Sequence, residues 1–349
     1  MREFPSPLWG GVRGGGNPET RNVTEYPPPW PSPTRGEGNR ETQMSRRKKG
    51  NPVHGWVILD KPLNMTSTQA VGAVRRAFGA QKAGHAGTLD PLATGILPIA
   101  LGEATKTVPF AVDGEKAYRF TVRWGAETTT DDAEGPVVKS SETRPTRAAI
   151  EALLPQFHGD ISQVPPQFSA IKIAGERAYD LARSGEEVVL AARTVFIQRL
   201  ALIDQPDDAT SVFEAECGKG TYVRALARDI GRLLGCYGHV VALRRTRVGP
   251  FNEGNAVTLE AIQAAAQSDD GDAIGKVLAP VEMALADLPE LLVSQTDAAS
   301  LVRGQAILIR GRDAPVLSGP AFATSKGRLI ALGELDKGAL HPTRVFNLG

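Results

Sequence analysis

Residues Gly84 to Lys106 read "GHAGTLDPLATGILPIALGEATK", and from Ala83 through Gly102 the only formal charge is that of Asp90. A single carboxylate inside a largely apolar run admits two readings. Asp followed by Pro suits a helix start, with Asp as cap and Pro in the first helical position. The neighbours argue for a different environment. Gly84, Gly87 and Gly95 permit close approach of other backbone, while Leu89, Leu92, Ile96 and Leu97 exclude water. A desolvated carboxylate is costly unless a cation or hydrogen-bond donor meets it, and functional sites are where proteins accept that cost. The partner must come from elsewhere in the chain.

"KGTYVRALARD", Lys219–Asp229, is the best source. If this segment is extended, Tyr222 and Arg224 point to the same face. Arg can hold a carboxylate through two parallel bonds, and Tyr can lie flat against a planar base. The "GKGT" it follows is not a phosphate loop: no Gly stands five residues before Gly218 and no Ser or Thr directly follows Lys219. Between Arg224 and Arg247 lie six arginines (Arg224, Arg228, Arg232, Arg244, Arg245, Arg247) against one acid, Asp229. With Arg75, Arg76, Lys82 and "RRKK" (46–49) they suggest a local phosphate-binding surface, a solvated helix face being the plainer reading. Net charge over the 349 residues is only +1, so nucleic-acid binding would rest on such patches.

The five histidines (His54, His85, His158, His239, His341) show no metal-ligand spacing, so no metal is expected. Cys217 and Cys236 are too few for a disulfide framework. No apolar run is long enough to span a membrane and no secretory signal is present, which points to a cytoplasmic protein. Residues 1–50 are rich in Pro, Gly and basic groups without apolar periodicity; disorder is expected there. Met44 precedes "SRRKKG", so residues 1–43 read as a candidate over-extension of the reading frame.

From His54 the pattern becomes structured. "GWVILDKP" reads as a strand ending in a Pro turn. "STQAVGAVRRAFG" reads as a helix capped by Ser67 or Thr66, with Val71, Val74 and Phe78 on one side and Gly79 at its exit. "AYRFTVRWG" alternates, Tyr118, Phe120, Val122 and Trp124 against Arg119, Thr121 and Arg123. "SVFEAEC" does the same, and a helix marked by Leu226, Ile230, Leu233 and Leu234 closes at Gly235. Strands and helices mix without a βαβ rhythm, which favours α+β. Near residues 285–290 the pattern changes to one short helix and several short strands, a β-rich module of roughly 60 residues.

Five segments, taken in order, resemble the TruB family of tRNA pseudouridine synthases: "HGWVILDKPLNMTS", "KAGHAGTLDPLATGILPIALGEATK", "KAYRFTVRWGAETTTDDAEG", "PPQFSAIKIAGERAYDLARSGEEV" and "CGKGTYVRALARDIG…HVVALRRTRVGPF". The resemblance is continuous from about His54 to Phe251 and weaker through a C-terminal module similar to a PUA domain. It implies a mixed central sheet flanked by helices, with a catalytic domain over 51–285 and a PUA-like RNA-binding domain over 286–349. It implies isomerisation of uridine to pseudouridine at position 55, in the T arm of tRNA, without cofactor; nothing in the sequence suggests an obligate oligomer, and a monomer is expected. By position, Asp90 matches the catalytic aspartate and Tyr118 the tyrosine that stacks on the target base. Tyr222 and Arg224 match a pocket tyrosine and the arginine paired with the aspartate, and Leu243 an apolar pocket residue. Lys61 and His85 match residues close to the RNA, and residues 165–188 an insertion that clamps the RNA loop.

Two other classes are weighed beside it. A non-catalytic RNA-binding or folding protein would not need Asp90, Tyr118, Tyr222 and Arg224 together. A nucleoside hydrolase would normally need two carboxylates flanking the bond, and the Asp90 run supplies one.

Overall fold

Strand Gly55–Lys61 is buried on both faces from Trp56 to Leu59, as that apolar run requires. Val57 and Leu59 point to one core, Trp56 and Ile58 to another. The same division runs through strand Ala93–Leu101, where Leu97, Ile99 and Leu101 oppose Ile96 and Ala100. These two strands pair antiparallel, Leu59 opposite Leu97, towards one edge of a mixed sheet. In spatial order that sheet runs Val257–Thr258, Gly55–Lys61, Ala93–Leu101, Gly238–Val248, Lys116–Trp124, Thr210–Cys217, Arg193–Asp207 and Gly159–Gln163. Two of its joins are parallel, Gly55–Lys61 with Val257–Thr258 and Ala93–Leu101 with Gly238–Val248. The computed structural model describes residues 50–169, 172–173, 176–177, 190–270, 272–309 and 318–349. The expectations for residues 1–49, and for most of the 165–188 insertion, lie outside them.

Helices Ser67–Ala77, Arg147–Leu153, Val223–Leu233 and Leu259–Gln267 bury Val74, Ile150, Leu226, Ile230 and Ile262 against one face of the sheet. Thr66 caps the first of them in a reciprocal arrangement with Gln69. Leu226 and Ile230 turn inward as their spacing predicts. Leu233 does not: it closes the helix and is 61% exposed, and the buried Cys236 follows it inward.

Among the described residues, the other face is covered over its Gly55–Lys61 side. There Trp56, Ile96, Val248 and Phe251 meet Val281 and Leu285, and then Phe322, Leu329, Leu332 and Phe346. Phe322, Leu329 and Leu332 belong to a second, five-stranded sheet ordered Glu290–Leu292, Gly319–Ser325, Arg328–Asp336, Ala339–Val345, Ile307–Leu308, with Phe346 directly after its Ala339–Val345 strand and helix Gln295–Val302 against it. Its alternate residues, among them Ala321, Ala323, Ala331 and Leu335, form a separate small core with Leu301. The architecture is therefore α+β, a mixed sheet with helices and a small β-rich C-terminal module.

Candidate active site

The Asp90 turn joins strands Ala83–His85 and Ala93–Leu101, so the helix-cap reading of "DPLATG" does not hold. A strand follows because Ala93 to Leu101 is committed to pairing on both edges. The turn is tied down at four points. The Ser67 hydroxyl donates to Leu89 O and accepts from Leu89 N, at 3.0 and 2.9 Å. Asn64 N donates to Pro91 O, and Ala93 N to Asp90 O. Arg245 donates to Gly87 O from behind. Gly87 has φ +94°, a backbone state that favours glycine.

Arg224 reaches the turn from helix Val223–Leu233. Its Nη2 lies 3.0 Å from Asp90 Oδ2 and donates to Phe168 O at 2.9 Å. Its Nη1 donates to Thr130 O and to Asp132 Oδ2, at 2.9 and 3.2 Å. The guanidinium is 6% exposed, whereas the Asp90 side chain keeps 37% open towards a cavity. Burial pushes the Asp90 carboxyl above the ordinary aspartate range; Arg224 pulls it back, and the second negative charge of Asp132 opposes that pull.

Tyr222 and Arg224 do not sit on a common extended face, because the strand ends at Cys217 and Tyr222 is already the cap of the helix. The turn from Gly218 to Thr221 nevertheless delivers both to one cavity. That cavity is also bordered by Asp90, Tyr118 and Leu243. Strand register accounts for the last two: Leu243 pairs with Ala93 on one side and with Phe120 on the other, two residues beyond Tyr118. Burial raises the phenols of Tyr118 and Tyr222, so both stay protonated at neutral pH. His85 borders a second cavity, with Thr66, Pro91 and Phe168. Asp90 and Arg224 stand in the wall between the two cavities.

Lys61 is placed differently from the expectation. It is fully buried, its ammonium donating to Pro62 O and Met65 O at 2.9 and 2.7 Å, so it presents no face to RNA. Burial lowers it to about 8, with the Asp90 charge acting in the opposite sense.

The six-arginine cluster is not a free basic surface either. Arg228 is paired with Asp131 and Asp229, and Arg232 with Glu127. Arg244 pairs with Asp60 and Glu253, Arg247 with Glu216 and Glu115. Arg245 is buried on backbone carbonyls. All but one of the pairing acids lie outside the 224–247 window, which is why local charge counting overlooks them.

Asp132 is the acid that sequence reading missed. It is 2% exposed, with Oδ1 taken by the Thr130 hydroxyl and Glu134 N. A signal existed in "TTTDDAEG", but not which of the two adjacent acids turns inward. Because its oxygens are committed, Asp132 does not supply the second flanking carboxylate a hydrolase would use.

Residues 75–223 match the TruB family pseudouridylate synthase N-terminal domain, and residues 224–286 the tRNA pseudouridylate synthase B C-terminal domain. Over 314 residues the chain is 61% identical to tRNA pseudouridine synthase B of Bradyrhizobium diazoefficiens, covering 87% of this chain and 91% of that protein. It is 56% identical over 308 residues to the protein of the same name from Agrobacterium fabrum, covering 87% and 98%. Among solved structures it is similar to a chain of the archaeal box H/ACA sRNP Nop10–Cbf5 complex, with TM-score 0.64 and 25% identity over 88% of this chain and 92% of that one.

Proposed function

This chain belongs to the TruB family of pseudouridylate synthases, and from that premise we propose that it converts uridine to pseudouridine at position 55, in the T arm of tRNA, with Asp90 as its one reactive carboxylate. Isomerisation of uridine in tRNA is what the family and its close relatives support. The observation that carries the rest is the position of Asp90: ionically paired to Arg224, yet open to a cavity bordered by two tyrosines and a leucine.

The reaction detaches uracil from C1′, turns it and rejoins it through C5, with no net oxidation. A target base must first leave its stack, at a cost of a few kcal/mol, and the pocket must offset this by stacking and hydrogen bonding. Tyr118 supplies a ring for stacking, Leu243 an apolar wall, and Tyr222 a second aromatic edge. Asp90 would attack C1′, stabilise charge at the sugar or take a ribose proton. Each of these steps needs a carboxylate that is ionised, oriented and shielded from water. Arg224 serves the first two needs, and Leu89 and Leu243 the third. Exclusion of water also keeps a detached base from being lost.

His85, at the rim of the second cavity, is suited to contact RNA beside the flipped nucleotide. The β-rich module from residue 286 is read as PUA-like and RNA-binding, residues 51–285 as the catalytic domain. The enzyme is read as a cytoplasmic monomer; no described helix is long and apolar enough to cross a membrane.

The test is to map pseudouridine in tRNA from cells with and without this protein. Loss confined to position 55 supports the reading. Release of free uracil from RNA would instead indicate a hydrolase.

A further inference from the structure

Arg245 is 2% exposed, and among the described residues no carboxylate lies within ion-pairing distance of it. A buried guanidinium without a counter-ion is costly, and an aliphatic side chain would fill the same space without that cost. Its donors are spent instead on the reaction site. Nε donates to Ile96 O at 2.8 Å and Nη2 to Gly87 O at 3.1 Å, with Nη1 3.4 Å from Thr88 O. Gly87 and Thr88 lead directly into Asp90. Tyr118 is the direct cross-strand neighbour of Arg245, and both border the Asp90 cavity.

The backbone is built to bring this side chain in. The pairing of Gly238–Val248 with Lys116–Trp124 shifts register between Arg245 and Arg247, a bulge of the kind that re-aims side chains beside active sites. On the opposite edge Gly95 has φ +96°, and a Cβ there would lie 2.2 Å from Arg245 O. Only glycine admits that approach.

We propose that Arg245 is a positioning residue of the reaction, holding the Tyr118 phenol and the Asp90 turn in one fixed relation across the cavity. A guanidinium is a donor only, so the phenol beside it can meet it only through the Tyr118 oxygen as acceptor. The phenolic proton is then left for an acceptor other than Arg245. Tyr118 thereby directs its O–H towards the cavity, and its ring cannot drift from the carboxylate. This rests on the reading that Asp90 is the reactive group.

The experiment compares Arg245→Lys, which keeps the charge but not the fork, with wild type in single-turnover pseudouridine formation at saturating tRNA. The expected result is a fall of about 100-fold in rate, the scale of a misplacement near 1 Å, with tRNA affinity unchanged. In protein carrying [13Cζ]tyrosine, the resonance that vanishes in Tyr118→Phe should move in Arg245→Lys, because the phenol oxygen loses its donor. An unmoved resonance, a wild-type rate or a loss confined to tRNA affinity would overturn the proposal. Tyr118→Phe is a separate arm that leaves Arg245 and its carbonyls intact; a wild-type rate there would also overturn it. Activity surviving in Asp90→Asn would instead overturn the reading beneath it.

Discussion

Arg224 Nη2 stands 3.0 Å from Asp90 Oδ2, although 134 positions separate the two residues in the chain. The same guanidinium also holds Asp132, Thr130 O and Phe168 O. It therefore joins the Asp90 turn, the acidic turn after Trp124 and the start of the 165–188 segment at one point.

Asp90→Asn preserves the shape of the turn and removes the charge. The protein should still bind tRNA and form no pseudouridine. Carbodiimide-primed reverse-transcription stops report the product, and undiminished turnover would remove Asp90 from the mechanism.

Replacing Arg224 by Ala leaves Asp132 buried without its cation. Breaking a buried pair in this way costs about 3–5 kcal/mol, to be read from urea denaturation. Arg224→Lys retains a charge but not two divergent donor edges, so its rate should fall while tRNA affinity changes less. Normal catalysis with weak tRNA binding would show instead that Arg224 serves the phosphates.

The acid limb of the rate profile should lie above 3.8, the ordinary aspartate value, because burial raises the Asp90 carboxyl. If the reaction needs the ionised form, rate is lost as pH falls through that raised value, earlier than for a solvated aspartate. Asp132→Asn removes a neighbouring negative charge and should move the limb to lower pH. A limb that stays put in this variant would mean the two carboxylates are not electrostatically linked.

Lys61 titrates at about 8 in the folded protein against 10.5 ordinarily. Between those values the unfolded chain binds the extra proton, so this group makes stability rise with pH across that window. Lys61→Met should flatten that part of the stability profile relative to wild type. Thermal melts at several pH values between 8 and 10.5 would check it.

Gly95→Ala would force a Cβ to within 2.2 Å of Arg245 O at a φ of +96°. The backbone state alone should cost about 1–3 kcal/mol, and the contact adds to it. Equilibrium denaturation with unchanged stability would mean the two strands can separate without penalty.

Much of the architecture was open to inspection before folding was considered. Alternation in Lys116–Trp124 and Thr210–Cys217 and the capped apolar spacing of Ser67–Ala77 are local properties, set by backbone geometry and side-chain direction, and they appear as drawn. Asp90 stood out because the run around it carries no other charge. "KGTYVR" reads as extended where a helix begins at Val223, and "DPLATG" suits a cap where a strand follows. At Asp90 pairing with neighbouring strands overrides the cap preference, whereas at Val223 the helix that buries Leu226 and Ile230 begins inside the segment.

What the sequence alone determined is the inventory: which segments can be strands or helices, and which acid is singular among apolar neighbours. Only the tertiary structure decided who meets whom. Arg228 finds Asp131, Arg232 finds Glu127 and Arg224 finds both Asp90 and Asp132, while Lys61 and Arg245 vanish from the surface. The reason is physical: periodicity is written in neighbouring dihedral angles, but charge pairing and desolvation depend on distances through space, which exist only once the sheet has formed.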